Sequence, residues 1–559
     1  MDFQRIPHSA PSPLATEYMV PMRDGVQLAT DVYLPDQNTA PGPVILVRLP
    51  YDKTGPYAGL PEVAEYFTGS GYTVVVQDVR GKFRSEGETL LFVNEADDGY
   101  DTIDWIIQQE WSNGTVGMWG DSYYGFTQWA AVSTRHPALR AVVPRVTGTR
   151  LGQLAEEIPG THTREIEMGV HRTYPLTIYV DNDALLWEMD WTIQPLNDTV
   201  EKFLTAVGTR SASYDLWYPN PVPLRRFRQG SPFDAPAVPV LMTIGWWDNC
   251  APWQWDDHRQ LQQRPQWALN EYLLIEAIDH ECNSHFEQPW LRDSPIPTPE
   301  ERRATLPRYL DPAIEFFDIF LRGKGSPADL PRVRWQLANT EPDFRISDTW
   351  PPAGVTELAL YPIDGTAARG QVPGGALATA AGAATERVSW KHDPSDPVKS
   401  PAPNPFTFLS ANPDEQALGN RPDVLTFTAA TATEPVDLVG PVSLRVQVRS
   451  EGPEMDVFAR LLDVAPDGAA HLIARGQLTV LDSGYDSDIE IDLGHLGYRL
   501  ETGHALRLTV AASDSPEHVV DWGLGGNRWA QPESAVNSQS VTLGGDGGAV
   551  LTLSVLPAG

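Results

Sequence analysis

Cysteine is nearly absent: two in 559 residues, too few for a disulfide framework, and no cluster of His and Cys has the spacing of a metal site. No metal or other cofactor is implied. Long apolar runs are missing as well. Nothing approaches the ~20 residues that span a bilayer, and residues 1–22 have neither a basic start nor an apolar centre, so the expectation is a cytoplasmic protein with no membrane partner. Basic residues are scarce too. Asp and Glu outnumber Lys and Arg by 74 to 41, a formal charge of −33, which argues against nucleic acid and acidic membranes as partners. No internal repeat is found. The length calls for about three to five folding units.

Against these absences stands Val116-Gly117-Met118-Trp119-Gly120-Asp121-Ser122-Tyr123-Tyr124-Gly125-Phe126, an apolar strand running into a glycine-flanked serine and then a helical stretch. This reads as a nucleophile elbow, a turn so tight that small residues must flank the serine it lifts above the sheet. The usual spacing is Gly-x-Ser-x-Gly, and here the second glycine comes one residue late.

The surrounding segments alternate. Asp24-Gly25 predicts an opening hairpin. Val44 to Leu49 reads as a strand buried on both faces, with Tyr51 at its carboxyl end. A helix over Leu60 to Thr68, a strand over Tyr72 to Val79 and a helix from Asp97 through Gln109 lead into the elbow, and Ala141 to Val146 follows it as a strand. Such alternation implies a mostly parallel sheet with ligands beyond the strands' carboxyl ends. Residues 146–240 lack strand alternation and carry helical patterns such as Ala184 to Ile193. They are expected to form an inserted helical cap in which Trp187 and Trp191 either line a substrate pocket or pack as core. Strands resume at Val240 to Gly245 and at Tyr272 to Ile278, and a helix over Pro312 to Leu321 closes the unit. Beyond residue 352 Gly and Ala accumulate and short alternating strands recur, as in Val442 to Val448. The division expected is an α/β-hydrolase core at 1–145 and 241–352, a cap at 146–240 and a β jelly roll at 353–559.

A serine hydroxyl needs an imidazole to take its proton and a carboxylate to orient that imidazole. In the chain order nucleophile, acid, histidine, Asp248 directly follows a strand, whereas Asp256 and Asp257 lie in a helical pattern. His280 follows the next strand, with His285 as the alternative. The tetrahedral intermediate needs two donors, which the Tyr123 backbone N–H and the Tyr51 hydroxyl are positioned to supply. Cys250 and Cys282 each follow a triad candidate by two residues and are expected to be free thiols.

At Asp24-Gly25-Val26-Gln27-Leu28, Arg48-Leu49-Pro50-Tyr51-Asp52-Lys53, Gln77-Asp78-Val79-Arg80-Gly81, Gly120 to Gly125, Gly245-Trp246-Trp247-Asp248 and Arg421-Pro422-Asp423-Val424-Leu425 the chain resembles the cocaine esterase-like serine hydrolases, relatives of X-Pro dipeptidyl-peptidases and α-amino acid ester hydrolases. The resemblance covers nearly the whole chain. It implies a triad of Ser122, Asp248 and His280, an oxyanion hole from Tyr51 and Tyr123, and a core, cap and jelly roll. The family's histidine usually sits in a Trp-Ser-His context, and here Ile278-Asp279-His280 stands in its place.

The leading expectation is a serine esterase acting on a small-molecule ester through an acyl-enzyme. An X-Pro dipeptidyl-peptidase or an α-amino acid ester hydrolase is the alternative. Amino acid ester hydrolases place carboxylates two and three residues after the triad acid, where this chain has Cys250 and Ala251, although Glu156 or Glu157 can still supply one. Cys250 is accordingly expected to line the acyl pocket. Outside enzymes, a carbohydrate-binding or assembly role for the jelly roll competes, and the intact set of Ser122, Asp248, His280 and Tyr51 argues against it. A homodimer is the expected assembly, from sheet edges and from the resemblance.

Overall fold

The computed structural model describes residues 3–35, 40–90, 92–153, 155–166, 168, 184–210, 215–216, 223–292, 298–402, 404–545 and 547–557. Ten strands form the first large sheet: β1 (Thr16–Pro21), β2 (Gln27–Tyr33), β3 (Gly42–Leu49), β4 (Thr73–Asp78), β5 (Ser112–Asp121), β6 (Leu139–Arg145), β7 (Val240–Gly245), β8 (Glu271–Glu276), β9 (Val333–Trp335) and β10 (Arg345–Ser347). Their order across the sheet is β10-β9-β8-β7-β6-β5-β3-β4-β2-β1. The pairs from β4 through β9 are parallel, and β1, β2 and β10 add antiparallel edges. Every residue of β4, β7 and β8 is buried, as a sheet covered on both faces requires. One face carries α1 (Leu60–Gly69) and, farther along the chain, the long α6 (Pro299–Arg322), whose Leu310, Phe316 and Phe317 pack on Ile45, Val47 and Phe67. The other face carries α2 (Glu95–Ile106), α3 (Ser122–Ser133) and α5 (Ala251–Gln262).

Helix α6 begins thirteen residues before the expected Pro312. A capping box, in which Thr298 accepts the Glu301 N–H and Glu301 accepts the Thr298 N–H, starts it, and the helix runs through Pro307 and Pro312.

Within residues 146–240, α4 (Leu196–Val207) is the long helix described, and residues 169–183, 211–214 and 217–222 lie outside the described residues. The helical pattern expected over Ala184 to Ile193 is not a helix. Ala184–Leu186 is a strand paired antiparallel with Gln4–Ile6, so a partner distant in sequence overrides the local periodicity. Thr163–Arg164 pairs with the strand Ala470–Leu481 and thereby joins this part of the chain to the C-terminal sheet.

That second sheet system is antiparallel in its long members, Val436–Ser450, Glu454–Val464, Ala470–Leu481 and Ser487–Leu500. Alternating burial along Val436–Ser450 marks one face turned to the core, as a β-sandwich requires. Aromatics seal the sandwich to the first sheet. The Trp255 ring stacks on His495 at 4.0 Å, Trp247 Nε1 donates to Leu472 O at 2.9 Å, and Trp350 Nε1 donates to His495 Nδ1 at 2.9 Å. No helix among the described residues is long and apolar enough to cross a membrane.

Candidate active site

Strand β5 ends at Asp121, and α3 starts at Ser122, so extended backbone passes into helix with no residue between them. Ser122 takes φ +49°, a left-handed conformation that a serine adopts only under constraint. The flanking glycines are required by contact. At Gly120, φ is +150° and a Cβ would lie 2.1 Å from Tyr124 Cδ2; at Gly125 it would lie 2.6 Å from Thr147 Cγ2. The closest approach of helix to neighbouring loop therefore falls at Gly125, one place later than in the common pattern. Tyr124 occupies the intermediate place, with its ring 6.2 Å from that of Tyr51.

The loops after β7 and β8 bring Asp248 and His280 to Ser122. Ser122 Oγ donates to His280 Nε2 at 3.0 Å, and His280 Nδ1 donates to Asp248 Oδ1 at 2.7 Å, the direction that an acceptor-only carboxylate imposes. Asp248 Oδ1 also accepts the Cys250 N–H at 2.9 Å. Burial disfavours the imidazolium of His280, but the Cys250 sulfur and the Asp248 carboxylate more than offset it and hold its pKa above the ordinary 6.5. Burial itself pushes the Cys250 thiol up to about 11. At neutral pH that sulfur is uncharged, which leaves the Asp248 carboxylate as the anion beside the imidazole. His285, the alternative base, instead bonds Asn339 Oδ1 at 2.9 Å and stacks flat on Trp247.

Tyr51 follows β3 and packs edge-on against Tyr57 and Tyr124. Its loop is pinned by the neighbouring Lys53, whose buried ammonium meets Glu17 at 2.8 Å and Asp31 at 3.0 Å and whose N–H donates to Asp78 Oδ1. The Tyr123 side chain points into the protein, where its hydroxyl donates to Glu95 Oε1 at 2.8 Å and accepts the Phe92 N–H. Glu95 is in turn paired with the fully buried Arg48 at 2.9 Å. The first turn of α3, which presents the Tyr123 N–H, is thus tied to β3 and α2.

Several supporting residues went unrecognised in the sequence. Below the elbow, Asp121 accepts from Arg145 Nε at 3.0 Å, from the Tyr309 hydroxyl of α6, and at 3.3 Å from Tyr124. Beside His280, the Phe406 ring packs with its centroid 4.9 Å away, and Phe406 O accepts the Glu281 N–H at 3.1 Å. The Asp279 carboxylate accepts the Leu409 N–H at 3.0 Å and the Asn283 N–H at 3.0 Å. Asp121 stands inside the serine motif and carried a signal, whereas Tyr309, Phe406 and Leu409 reach the site from distant segments and carried none.

The other expected site residues fall as follows. Cys250 is the N-cap residue of α5 and is buried against Asp248 and His280. Both cysteines are free thiols. Trp187 stacks on Phe203 of α4 at 4.0 Å, and Trp191 meets Trp529 edge-on at 5.9 Å. Both pack around a cluster of Val200, Leu204, Trp522 and neighbours, which joins α4 to the C-terminal sheet. Glu156 and Glu157 are both exposed on the turn leading to Thr163–Arg164.

Residues 24–281, which contain Ser122, Asp248 and His280, match the model of the X-Pro dipeptidyl-peptidase (S15 family), and residues 325–524 match the X-Pro dipeptidyl-peptidase C-terminal non-catalytic domain. A cocaine esterase of Rhodococcus sp. (strain MB1 Bresler) is 28% identical over 558 residues, covering 92% of this chain and 93% of the esterase. Among solved structures, an alpha-amino acid ester hydrolase superposes with TM-score 0.77 at 23% identity over 98% of both chains. An aminopeptidase from a marine sediment archaeon, Thaumarchaeota archaeon, superposes with TM-score 0.75 at 20% identity over 99% of both. Catalytic and C-terminal models are matched in succession, and over most of its length the chain is similar to the cocaine esterase-like serine hydrolases of the X-Pro dipeptidyl-peptidase group.

Proposed function

We propose that this enzyme hydrolyses carboxylic esters of small molecules through an acyl-enzyme on Ser122. Ser122 Oγ attacks the ester carbonyl while His280 Nε2 takes its proton, and the Asp248 carboxylate stabilises the imidazolium that forms. The Tyr51 hydroxyl and the Tyr123 N–H donate to the oxyanion. Collapse of the tetrahedral intermediate expels the alcohol, which leaves with the proton from His280. A water molecule, deprotonated by His280, then releases the acid and restores Ser122. The observation that carries this reading is the continuous hydrogen-bonded line from Ser122 through His280 to Asp248, at 3.0 and 2.7 Å, beneath a serine at φ +49°. The acyl pocket in this reading lies between core, cap and jelly roll, bordered by Cys250, and the chain divides at residues 145, 240 and 352.

The family models, both described as X-Pro dipeptidyl-peptidase, favour a second reading in which peptides or aminoacyl esters are cleaved by the same residues. A panel of chromogenic esters, amides and aminoacyl esters separates the two. Ester turnover with weak amide turnover supports the first, and preferred turnover of X-Pro amides replaces it with the second. Ser122→Ala is expected to abolish hydrolysis and labelling by a serine-directed phosphonate. Labelling that persists in the variant would refute Ser122 as nucleophile.

A further inference from the structure

Outside the serine site, three potential ligands of different kinds meet in the loop that follows the strand Ala505–Ala511. Asp514, Glu517 and His518 are 3%, 5% and 2% exposed, and each offers a ligand atom within 4.8 Å of the others. His518 Nε2 is buried with no hydrogen-bond partner, and Nδ1 stands 3.4 Å from Asp514 Oδ2, too long for a good hydrogen bond. Asp514 Oδ1 is likewise buried without a partner. The remaining carboxylate oxygens are held by arginine. Arg460 bridges Asp514 Oδ2 at 2.7 Å and Glu415 at 2.9 Å, and Arg475 grips Glu517 at 2.7 Å.

Three carboxylates, Glu415, Asp514 and Glu517, thus face two guanidiniums, Arg460 and Arg475, so that, His518 aside, one negative charge is left over in the interior. An uncompensated buried charge is costly, and a cation held by the free atoms removes that cost. Room for the rest of a coordination shell exists beside it. Glu517 and His518 border a cavity of about 60 Å³ whose wall also includes Arg475, Asp248 and Asn249. A cavity needs roughly 10–15 Å³ to hold a water, so several fit there. Asp248 Oδ2 and Asn249 Oδ1, both on that wall, are buried and unpartnered as well.

We propose that Asp514, Glu517 and His518 bind a divalent transition-metal cation, with waters in the adjoining cavity completing its coordination and bonding Asp248 Oδ2 across the boundary between jelly roll and core. An imidazole with two carboxylates selects Zn²⁺ or Mn²⁺ over Ca²⁺ or Mg²⁺, which prefer all-oxygen sites. The rival account neutralises the same charge with a protonated His518 and needs no metal.

The test loads chelator-treated, untagged full-length protein with Zn²⁺ or Mn²⁺, desalts it, and measures bound metal together with thermal unfolding. One ion retained per chain and a rise in Tm, both lost in His518→Ala, is the expected result. A wild-type chain that retains no ion and shows no Tm shift overturns the proposal in favour of protonated His518. Retention that survives His518→Ala overturns it too, because the ion then sits elsewhere. Asp514→Asn, which keeps shape and the contact to Arg460, guards against misfolding of the His518 variant and must also lose the ion. None of these readouts depends on which substrates the enzyme accepts.

Discussion

Ser122 is held in a backbone conformation that costs roughly 1–3 kcal/mol for a residue with a side chain, and its surroundings supply the constraint. Thr147 Oγ1 donates to Ser122 O at 2.6 Å, and Gly120 and Gly125 remove the side chains that would block the turn. The return is a hydroxyl aimed at His280. Because the Cys250 sulfur and the Asp248 carboxylate together hold the His280 pKa above 6.5, a larger share of the imidazole is protonated at neutral pH than in free histidine, and only the neutral form accepts the Ser122 proton. Activity should therefore rise with pH through an apparent pKa above 6.5 and level off on the alkaline side. A kcat/KM profile flat from about pH 5 to pH 9 would contradict this. In the proposed mechanism Tyr51→Phe removes a donor that would meet the oxyanion only as charge develops. It should lower kcat by about 10² to 10³ with little change in KM, and a near-normal kcat would place the second donor elsewhere.

At the scale of elements, helix α6 does more than cover the sheet. Its Tyr309 hydroxyl reaches Asp121, at the last position of β5, while Arg308 Nη2 donates to Cys282 O at 3.4 Å in the loop that carries His280. One helix therefore braces both the nucleophile strand and the base loop. Tyr309→Phe leaves the buried Asp121 carboxylate short of a donor, and the expected loss is about 1.5–3 kcal/mol of stability. A fall in kcat of roughly 10- to 100-fold at little-changed KM should accompany it. Unchanged unfolding and unchanged kcat would mean that Arg145 and Tyr124 secure Asp121 without it.

At the scale of the whole molecule, the C-terminal part is joined to the chemistry as well as to the surface of the core. The Leu409 N–H is accepted by Asp279, the Phe406 ring lies against His280, and Trp247, next to Asp248, donates to Leu472 O. Both loops that complete the relay are therefore clamped by residues beyond 400. Phe406→Ala should lower kcat by up to about 10²-fold, because small displacements of a catalytic group are expensive. Phosphonate labelling of Ser122 should slow with it, since both depend on His280. Full kcat and full labelling in Phe406→Ala would show that the imidazole is held from the core alone.

The local parts of this protein were legible in its amino-acid order. Val44 to Leu49 and Val240 to Gly245 are short, mostly apolar runs interrupted only by Arg48 and Thr243, and such runs suit strands buried on both faces. Gly120, Ser122 and Gly125 mark a turn that only small residues permit, and the order serine, aspartate, histidine follows from strand ends that can be counted along the chain. Tertiary structure decided what periodicity cannot encode. Ala184–Leu186 became a strand because Gln4–Ile6 lies beside it, although its own stretch is spaced like a helix. His280 rather than His285 faces the serine because the loop after β8 turns one imidazole to Asp248 and lays the other on Trp247. Trp187 and Trp191 found partners in Phe203 and Trp529, the latter more than three hundred residues away. Periodicity reports the burial of a side chain within its own segment, whereas the partner it meets depends on how distant segments are brought together, and Tyr309, Phe406 and Leu409 enter the site only by that route.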